Sequence, residues 1–246
     1  MTLALAISGA NGRMGRALTH AASRDGRFSI TGSTTRTGAG AAAAALSADV
    51  WIDFTTPDAT LAALDALAST GVRAAIIGTT GLSTEQDARI AEHAKRIAIV
   101  KSGNFSLGVN VLAALVEQAA ARLDSEWDIE IFEAHHKRKV DAPSGTALML
   151  GEAAARGRGK RLGDLRLPSR DGATGARPEG GIGFAVVRAG GIVGEHAVSF
   201  ASEREVLTLS HSALDRGLFA DGALAAALWA GDKPPGLYSM RDVLGL

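Results

Sequence analysis

Residues 3–23 read LALAISGANGRMGRALTHAAS. Leu3 to Ser8 is an apolar run of strand length. Gly9-Ala10-Asn11-Gly12-Arg13-Met14-Gly15 follows it directly and opens a helical pattern that runs to about Ser23. Strand, glycine loop and helix in this order form the first turn of a dinucleotide fold. Glycines permit the tight turn, the close approach of a pyrophosphate and close helix–sheet packing, while the N–H groups of the helix N-terminus face the anion. The spacing is GxxGxxG rather than GxGxxG, so the motif alone also fits a plain βα turn. Its position directly after a strand favours dinucleotide binding.

The alternation continues outward from this turn. Strand-length runs at Phe28–Ser33, Val50–Phe54, Arg73–Ile77 and Ile97–Val100 are interleaved with helical patterns at Asp58–Ser69 and from Ser83 to Ala94. Gly71 suits the position just past a helix C-terminus, and Ser83 with Gln86 has capping-box spacing. The Gly/Ala tract Gly38–Ala45 is expected to be a loop running into a short helix. Residues 1–105 are therefore expected to form an α/β domain, a Rossmann-like doubly wound parallel sheet. Ligands of such sheets lie at the strands' carboxyl ends, where Gly78-Thr79-Thr80 and Ser102-Gly103-Asn104-Phe105 join the Gly9 loop. At the end of the second strand stand Thr34, Thr35 and Arg36, with no acid to hold a ribose 2′-OH. A guanidinium among small hydroxyls suits a 2′-phosphate, so NADPH is the preferred cofactor and NADH is possible; the alternative is a plain surface arginine.

The pattern changes after Ser106–Leu123, a strong amphipathic helix. Strand runs now follow one another at Trp127–Glu133, Phe184–Arg188, Ile192–Ser199 and Glu205–Ser210, with a helix at Ser144–Gly157 and a Gly/Pro/Arg loop at Arg158–Gly181 between the first two. This predicts a C-terminal α+β domain with a mixed or antiparallel sheet over residues 106–212. Its other face needs a cover, from helices or from another subunit. The apolar helix Phe219–Trp229 lies in a last segment, 213–246, expected to return to the first domain.

Composition narrows the function. The 246 residues carry 26 Lys+Arg and 26 Asp+Glu, so the net charge is zero, which argues against a nucleic-acid binder that works by bulk charge. There is no cysteine, which excludes disulfides, thiolate metal sites and thiol nucleophiles. No apolar run reaches the roughly 18 residues of a spanning helix, and the first residues lack a basic signal region. A soluble cytoplasmic protein without membrane or metal partners is expected.

The chemistry concentrates in Glu133 to Ala147, EAHHKRKVDAPSGTA. Two histidines, His135 and His136, precede three cations, Lys137, Arg138 and Lys139. Asp141 follows, and Pro143-Ser144-Gly145-Thr146 opens a helix. Such a polar run is a poor core. A histidine pair at a strand end, beside cations and the N–H groups of a helix start, makes an anion site with an imidazole at hand. Lys137 and Arg138 fit solvated charge, and Asp141 fits a loop-shaping or cation-pairing role. His20, His93, His196 and His211 have no motif context and are expected to be surface or structural.

This stretch resembles the signature of the 4-hydroxy-tetrahydrodipicolinate (dihydrodipicolinate) reductase family, E-A-H-H-x-x-K-x-D-x-P-S-G-T-A, at every fixed position. GANGRMGR at Gly9, VWIDFTTP at Val50, GTTG at Gly78 and NFSLGVN at Asn104 resemble the family in the same order. One departure stands out: the acid-then-arginine pair usual at the end of the second strand is Thr35-Arg36 here. The chain is also short between Arg36 and Val50. The resemblance implies hydride transfer from NAD(P)H to a cyclic imine dicarboxylate, in the diaminopimelate route to lysine, by a homotetramer. It implies His135 as the acid/base residue, Lys139 as proton donor, and His136, Gly145 and Thr146 on the substrate. It further implies Gly9 to Met14 on the pyrophosphate, Arg36 on the adenosine phosphate, and Gly78 to Thr80 with Ser102 to Phe105 at the nicotinamide end. Two other functions remain open at this stage: a different NADPH-dependent dehydrogenase of a small amino-acid-derived acid, and a non-catalytic NADPH sensor.

Overall fold

The computed structural model describes residues 2–38 and 40–246. They form two compact units, one of residues up to Leu107 together with Arg216–Leu246, the other Gly108–Asp215. None of the described helices is long and apolar enough to cross a membrane.

The first unit holds β1 (Leu3–Ser8), α1 (Arg13–Ser23), β2 (Phe28–Ser33), α2 (Ala41–Ala44), β3 (Val50–Asp53), α3 (Pro57–Leu67), β4 (Ala74–Ile77), α4 (Thr84–His93) and β5 (Ala98–Lys101). Its six-stranded sheet has the order β10-β5-β4-β3-β1-β2, where β10 is Gly236–Tyr238, and every pairing is parallel. Both sheet faces are covered, which is why the central strands are apolar without interruption. Leu5, Ile7, Val50, Ile52, Ile76 and Val100 face one core, which includes Ala220, Ala223 and Ala227 of α8 (Gly217–Ala230). Ala6, Trp51, Ala75, Ile77 and Ile99 face the other, with Leu61 and Leu64 of α3 and Ile90 of α4. Strand β1 has β2 on one side and β3 on the other. Connections therefore leave in opposite directions there, and a crevice opens outside the carboxyl ends of β1 and β3.

The local signals hold with one exception. Ser83 and Gln86 form the expected capping box at the start of α4. Gly71 does not end α3. The helix closes at Ala68, because the Thr70 N–H and hydroxyl both donate to the Leu67 carbonyl, at 3.0 and 2.8 Å, and turn the chain first. In the Gly38–Ala45 tract the short helix is α2; Ala39 lies outside the described residues.

The second unit holds most of α5 (Leu107–Ala120), then β6 (Asp128–His135), α6 (Gly145–Gly157), α7 (Leu162–Leu165), β7 (Ile182–Arg188), β8 (Gly194–Ala201) and β9 (Val206–Ala213). The sheet order is β7-β6-β8-β9, with β6 and β7 parallel and the other pairs antiparallel, a mixed sheet. Strand β6 extends through His135, beyond the expected end at Glu133. Ile129 and Ile131 of β6, Ile182 of β7, and Val198 and Phe200 of β8 pack with Leu112 and Val116 of α5 and Ala147, Leu150 and Ala154 of α6. Side chains alternate across a strand, so Glu133 and His135 continue that same face past the end of the apolar cover.

In the first unit, α8 lies so close to the loop after β5 that a Cβ added at Gly222 would stand 1.7 Å from the Phe105 carbonyl oxygen. Gly222→Ala should cost about 1–3 kcal/mol through overpacking, read as a lower urea midpoint. An unchanged midpoint would contradict this packing.

Candidate active site

In the second unit one carboxylate gathers the polar end of the sheet. Glu133 is fully buried. Its Oε2 accepts from His135 Nδ1 at 2.6 Å and from Arg188 Nη1 at 2.7 Å, and its Oε1 accepts from Arg188 Nη2 at 2.7 Å and from the Ser144 N–H at 2.9 Å. Strand register explains the meeting: His135 pairs with Arg188 across β6 and β7, and Glu133 pairs with His196 across β6 and β8. The Glu133 carboxylate thus pins both ends of the loop from His136 to Pro143. Arg188 Nη2 also donates to the Asp141 carbonyl at 2.7 Å, fixing the middle of that loop. The loop contains a cis Ala142–Pro143 bond.

His135 is 9% exposed. Its Nε2 lies toward Gly194, where an added Cβ would come to 3.2 Å, so the absence of a side chain there leaves room beside the nitrogen. The His196 ring meets the His135 ring edge to face at 5.1 Å, and its Nε2 shares a 3.1 Å hydrogen bond with Ser144 Oγ. His211 stands opposite His196 on β9. Lys139 Nζ pairs with Asp141 at 2.8 Å, and the Lys139 N–H donates to the His136 carbonyl at 3.0 Å. Ser144 caps α6 through the Ala147 N–H, and Gly145 and Thr146 form its first turn. The positive end of the helix thereby opens where the loop that carries Lys139 ends.

The electrostatics follow from these contacts. Burial pushes the Glu133 carboxyl up, yet the hydrogen bonds from Arg188, His135 and the Ser144 N–H outweigh it and hold the group below its ordinary value. The same fork raises Arg188. The hydrogen bond from Lys139 holds Asp141 low against the opposing effect of burial. Burial first, then the neighbouring His135, drives His196 down to about 4, with Glu133 pulling the other way. His196 is therefore neutral at pH 7, and His211 is likewise lowered by burial.

In the first unit a cavity of about 640 Å³ occupies the crevice at β1 and β3, a size suited to a small-molecule site. It is lined by Gly9, Asn11, Gly12 and Arg36 among the expected residues, together with Ser8, Thr34, Thr35, Thr37, Phe54, Thr55, Thr56 and Ala59. Gly9 adopts φ 65°, and an added Cβ would come to 2.8 Å of Thr55 Cγ2. A Cβ at Gly15 would come to 2.3 Å of the Gly9 carbonyl, so α1 packs hard against its own loop. Gly12 is the N-cap of α1 without a side-chain cap, which leaves the helix amides to an anion. These features fit a dinucleotide phosphate.

Other expected residues sit apart from the cavity lining. The Ala10 N–H donates to the Thr34 carbonyl, Arg13 begins α1, and Met14 packs against the core. Gly78 and Thr80 follow β4, where a Cβ on Gly78 would strike the Phe54 ring at 2.0 Å. Thr79 is buried, its hydroxyl 2.8 Å from that of Thr60, and Phe105 is buried edge-on to Phe54 at 5.2 Å. Ser102 Oγ donates to the Asn104 carbonyl, and Gly103 completes that turn. Thr79 and Phe105 thus face the interior with their side chains, leaving the backbone for a ligand. Glu133 heads the signature stretch in the sequence, His196 is buried and hydrogen-bonded as a structural histidine should be, and Arg188 carries no signal of its own. Their association depends on strand register, and the only local signal was the i, i+2 spacing of Glu133 and His135 on one strand face.

With this geometry in place, comparison with known proteins gives a consistent picture. Family models described as "Dihydrodipicolinate reductase, N-terminus" and "Dihydrodipicolinate reductase, C-terminus" match residues 3–105 and 108–244. The chain is 57% identical to the 4-hydroxy-tetrahydrodipicolinate reductase of Caulobacter vibrioides, over 98% of this chain and 96% of that one. It is 60% identical to that of Rhizobium rhizogenes, over 82% and 73%. Among solved structures, the dipicolinate-bound dihydrodipicolinate reductase of Paenisporosarcina sp. TG-14 aligns with TM-score 0.78 at 23% identity, covering 97% of this chain and 98% of that one. At that identity the alignment speaks for the fold.

His196 supplies a pH test. Its folded value of about 4 lies below the ordinary 6.5, so between these the unfolded chain takes up a proton that the folded chain refuses. This group contributes stability above about pH 6.5 and loses it as the pH falls toward 4. His196→Asn should flatten that part of the stability–pH curve, measured by urea unfolding. An equally steep fall in the variant would contradict the assignment.

Proposed function

The chain belongs to the dihydrodipicolinate reductase family, and from that premise we propose how its two units share the reaction. It is an NAD(P)H-dependent oxidoreductase that reduces 4-hydroxy-tetrahydrodipicolinate to tetrahydrodipicolinate in the diaminopimelate route to lysine. Residues 1–105 hold the nucleotide, residues 106–212 hold the substrate and make the oligomer contacts, and residues 213–246 complete the nucleotide unit. The observation that carries this division is the loop from His136 to Pro143, anchored at both ends on Glu133, which gathers His135, Lys139 and the start of α6.

When bound, the nicotinamide supplies the hydride. The Gly9 to Met14 turn would hold the pyrophosphate at the start of α1, which has no side-chain cap. The backbone of Gly78, Thr79 and Thr80 and of Ser102 to Phe105 supports the nicotinamide end. On the substrate, Gly145 and Thr146 hold a carboxylate with the amides of the α6 N-terminus and the threonine hydroxyl, and His136 makes a further contact. The 4-hydroxyl must leave as water to give the conjugated cyclic imine; hydride added to a ring carbon of that imine would push an electron pair into the conjugated system, and one proton would then neutralise it. The Lys139 ammonium stabilises that charge and donates a proton, and His135 Nε2 serves as the acid/base group. Arg36, exposed at the cavity wall beside Thr34, Thr35 and Thr37, selects NADPH through its 2′-phosphate while NADH remains a usable substrate.

We assign a homotetramer and a cytoplasmic location as well. The sheet face of the second unit opposite α6 carries Phe132 and Val187, 39% and 38% exposed, an apolar surface suited to another subunit. The cytoplasm is where the nicotinamide pool and this biosynthetic step are expected.

Steady-state kinetics with both cofactors tests the site. His135→Ala and Lys139→Ala should each lower kcat roughly 10²- to 10⁴-fold while NADPH still binds. Unchanged turnover would remove either residue from the mechanism. Arg36→Ala should raise the KM for NADPH roughly tenfold or more, the worth of one charge-assisted contact, and leave NADH unaffected. Equal losses for both cofactors would refute the 2′-phosphate role. Light scattering should return four times the 25.1 kDa chain mass, and a monomer would contradict the proposed assembly.

A further inference from the structure

Glu133 touches neither substrate nor cofactor in the mechanism above, yet it is fully buried and takes donors from three elements. We propose that Glu133, held by Arg188, is a positioning residue for the reaction: it fixes the His135 imidazole with its proton on Nδ1, so that Nε2 alone is left to exchange protons with the substrate. The inference rests on the assignment of His135 as the acid/base residue.

The acceptor count supports it. A carboxylate offers about four lone-pair sites. Here Oε1 takes Arg188 Nη2 and the Ser144 N–H, and Oε2 takes Arg188 Nη1 and His135 Nδ1. Every site is filled, so the carboxylate has no slack to rotate. An ionised carboxylate only accepts, and the bidentate guanidinium keeps it ionised despite burial. Nδ1 must therefore be the donor. In the neutral ring the lone pair then falls on Nε2, on the side where Gly194 leaves space.

The groups around the imidazole leave this task to Glu133. From β7 comes Arg188, already engaged by the carboxylate. From β8 comes His196, whose ring edge packs at 5.1 Å and whose Nε2 is turned to Ser144. From β9 comes His211, opposite His196. From the loop come Lys139 and Asp141, paired with each other. From α6 comes Ser144, which caps its own helix. Glu133 is the carboxylate in contact with the ring. The same carboxylate anchors the Ser144 N–H, so the orientation of the imidazole and the start of the substrate-binding helix share one support.

The competing account is that Glu133 only neutralises Arg188. Full-length Glu133→Gln, Glu133→Asp, the double variant Glu133→Gln/Arg188→Met, and His135→Ala separate the two. We measure kcat, KM for substrate and for NADPH, the melting temperature, and the His135 ring ¹⁵N shifts. Glu133→Gln should lower kcat roughly 10²-fold, the cost of a misoriented catalytic group, with KM for NADPH unchanged and the ring shifts moving from the Nδ1–H pattern to a mixture. Removing the stranded guanidinium in the double variant should recover melting temperature but not kcat. Recovery of kcat together with stability, or an unchanged Nδ1–H pattern in Glu133→Gln, would overturn the proposal. Should Glu133→Gln fail to fold, Glu133→Asp decides: it keeps the charge but draws it back by one methylene, so a large kcat loss supports the proposal and full kcat overturns it. If His135→Ala itself turns over normally, the underlying assignment fails. If His135→Ala is inactive while Glu133→Gln is fully active, only the present inference fails.

Discussion

Taking a carboxylate out of water is tolerable only when its lone pairs are all met, and that requirement shapes the working end of the second unit. Glu133 continues a sheet face that is otherwise apolar, from Ile129 and Ile131 onward. Where the cover from α5 and α6 ends, the same face would be left with an unpaired charge. Arg188, His135 and the Ser144 N–H meet it, and each brings its element into place: β7, the end of β6 and the start of α6. The ionisable groups thus stand where the hydrophobic layer stops. A buried ion pair of this kind adds little net stability over apolar packing, but breaking one partner is expensive. Its value lies in fixing one geometry.

The first unit meets a different constraint, backbone proximity. The Gly9 turn and α1 approach so closely that a methyl group at Gly15 would overlap the Gly9 carbonyl. The result is a helix start without a side-chain cap, open to a phosphate and set at the point where connections leave the parallel sheet in opposite directions. Buried Asp53, at the end of β3, accepts from the Thr55 N–H and hydroxyl at 2.8 and 2.6 Å and so shapes the opposite wall of the cavity.

Much of this was legible in the sequence because the signals are local. Strands buried on both faces are apolar without a break, and glycine spacing after β1 marks the first turn. Ser83 with Gln86 and Ser144 before the alanine-rich α6 mark their helix starts. Gly71 misled because a threonine hydroxyl can close a helix before a glycine is reached. The candidate site residues on one continuous stretch, His135, His136, Lys139, Gly145 and Thr146, stood out together. Arg188 and His196 did not, since strand register brings them to His135 and Glu133, and nothing in a single strand announces its register partner. Thr79 and Phe105 were visible as neighbours of the crevice, but the inward turn of their side chains depends on Thr60 and Phe54.

The first unit is built from two stretches separated by all of the second. Strand β10 pairs with β5, and α8 fills one of the two cores against β3, β4 and β5. During synthesis the ribosome releases β1 to β5 long before α8 and β10 exist, whereas the whole of Gly108–Asp215 emerges as one contiguous piece. The inserted unit can therefore complete its sheet while its host still exposes one apolar side, Leu5, Ile7 and Val100 among it. The unit that begins first in translation is thus the one whose core closes last, since residues 216–246 complete it.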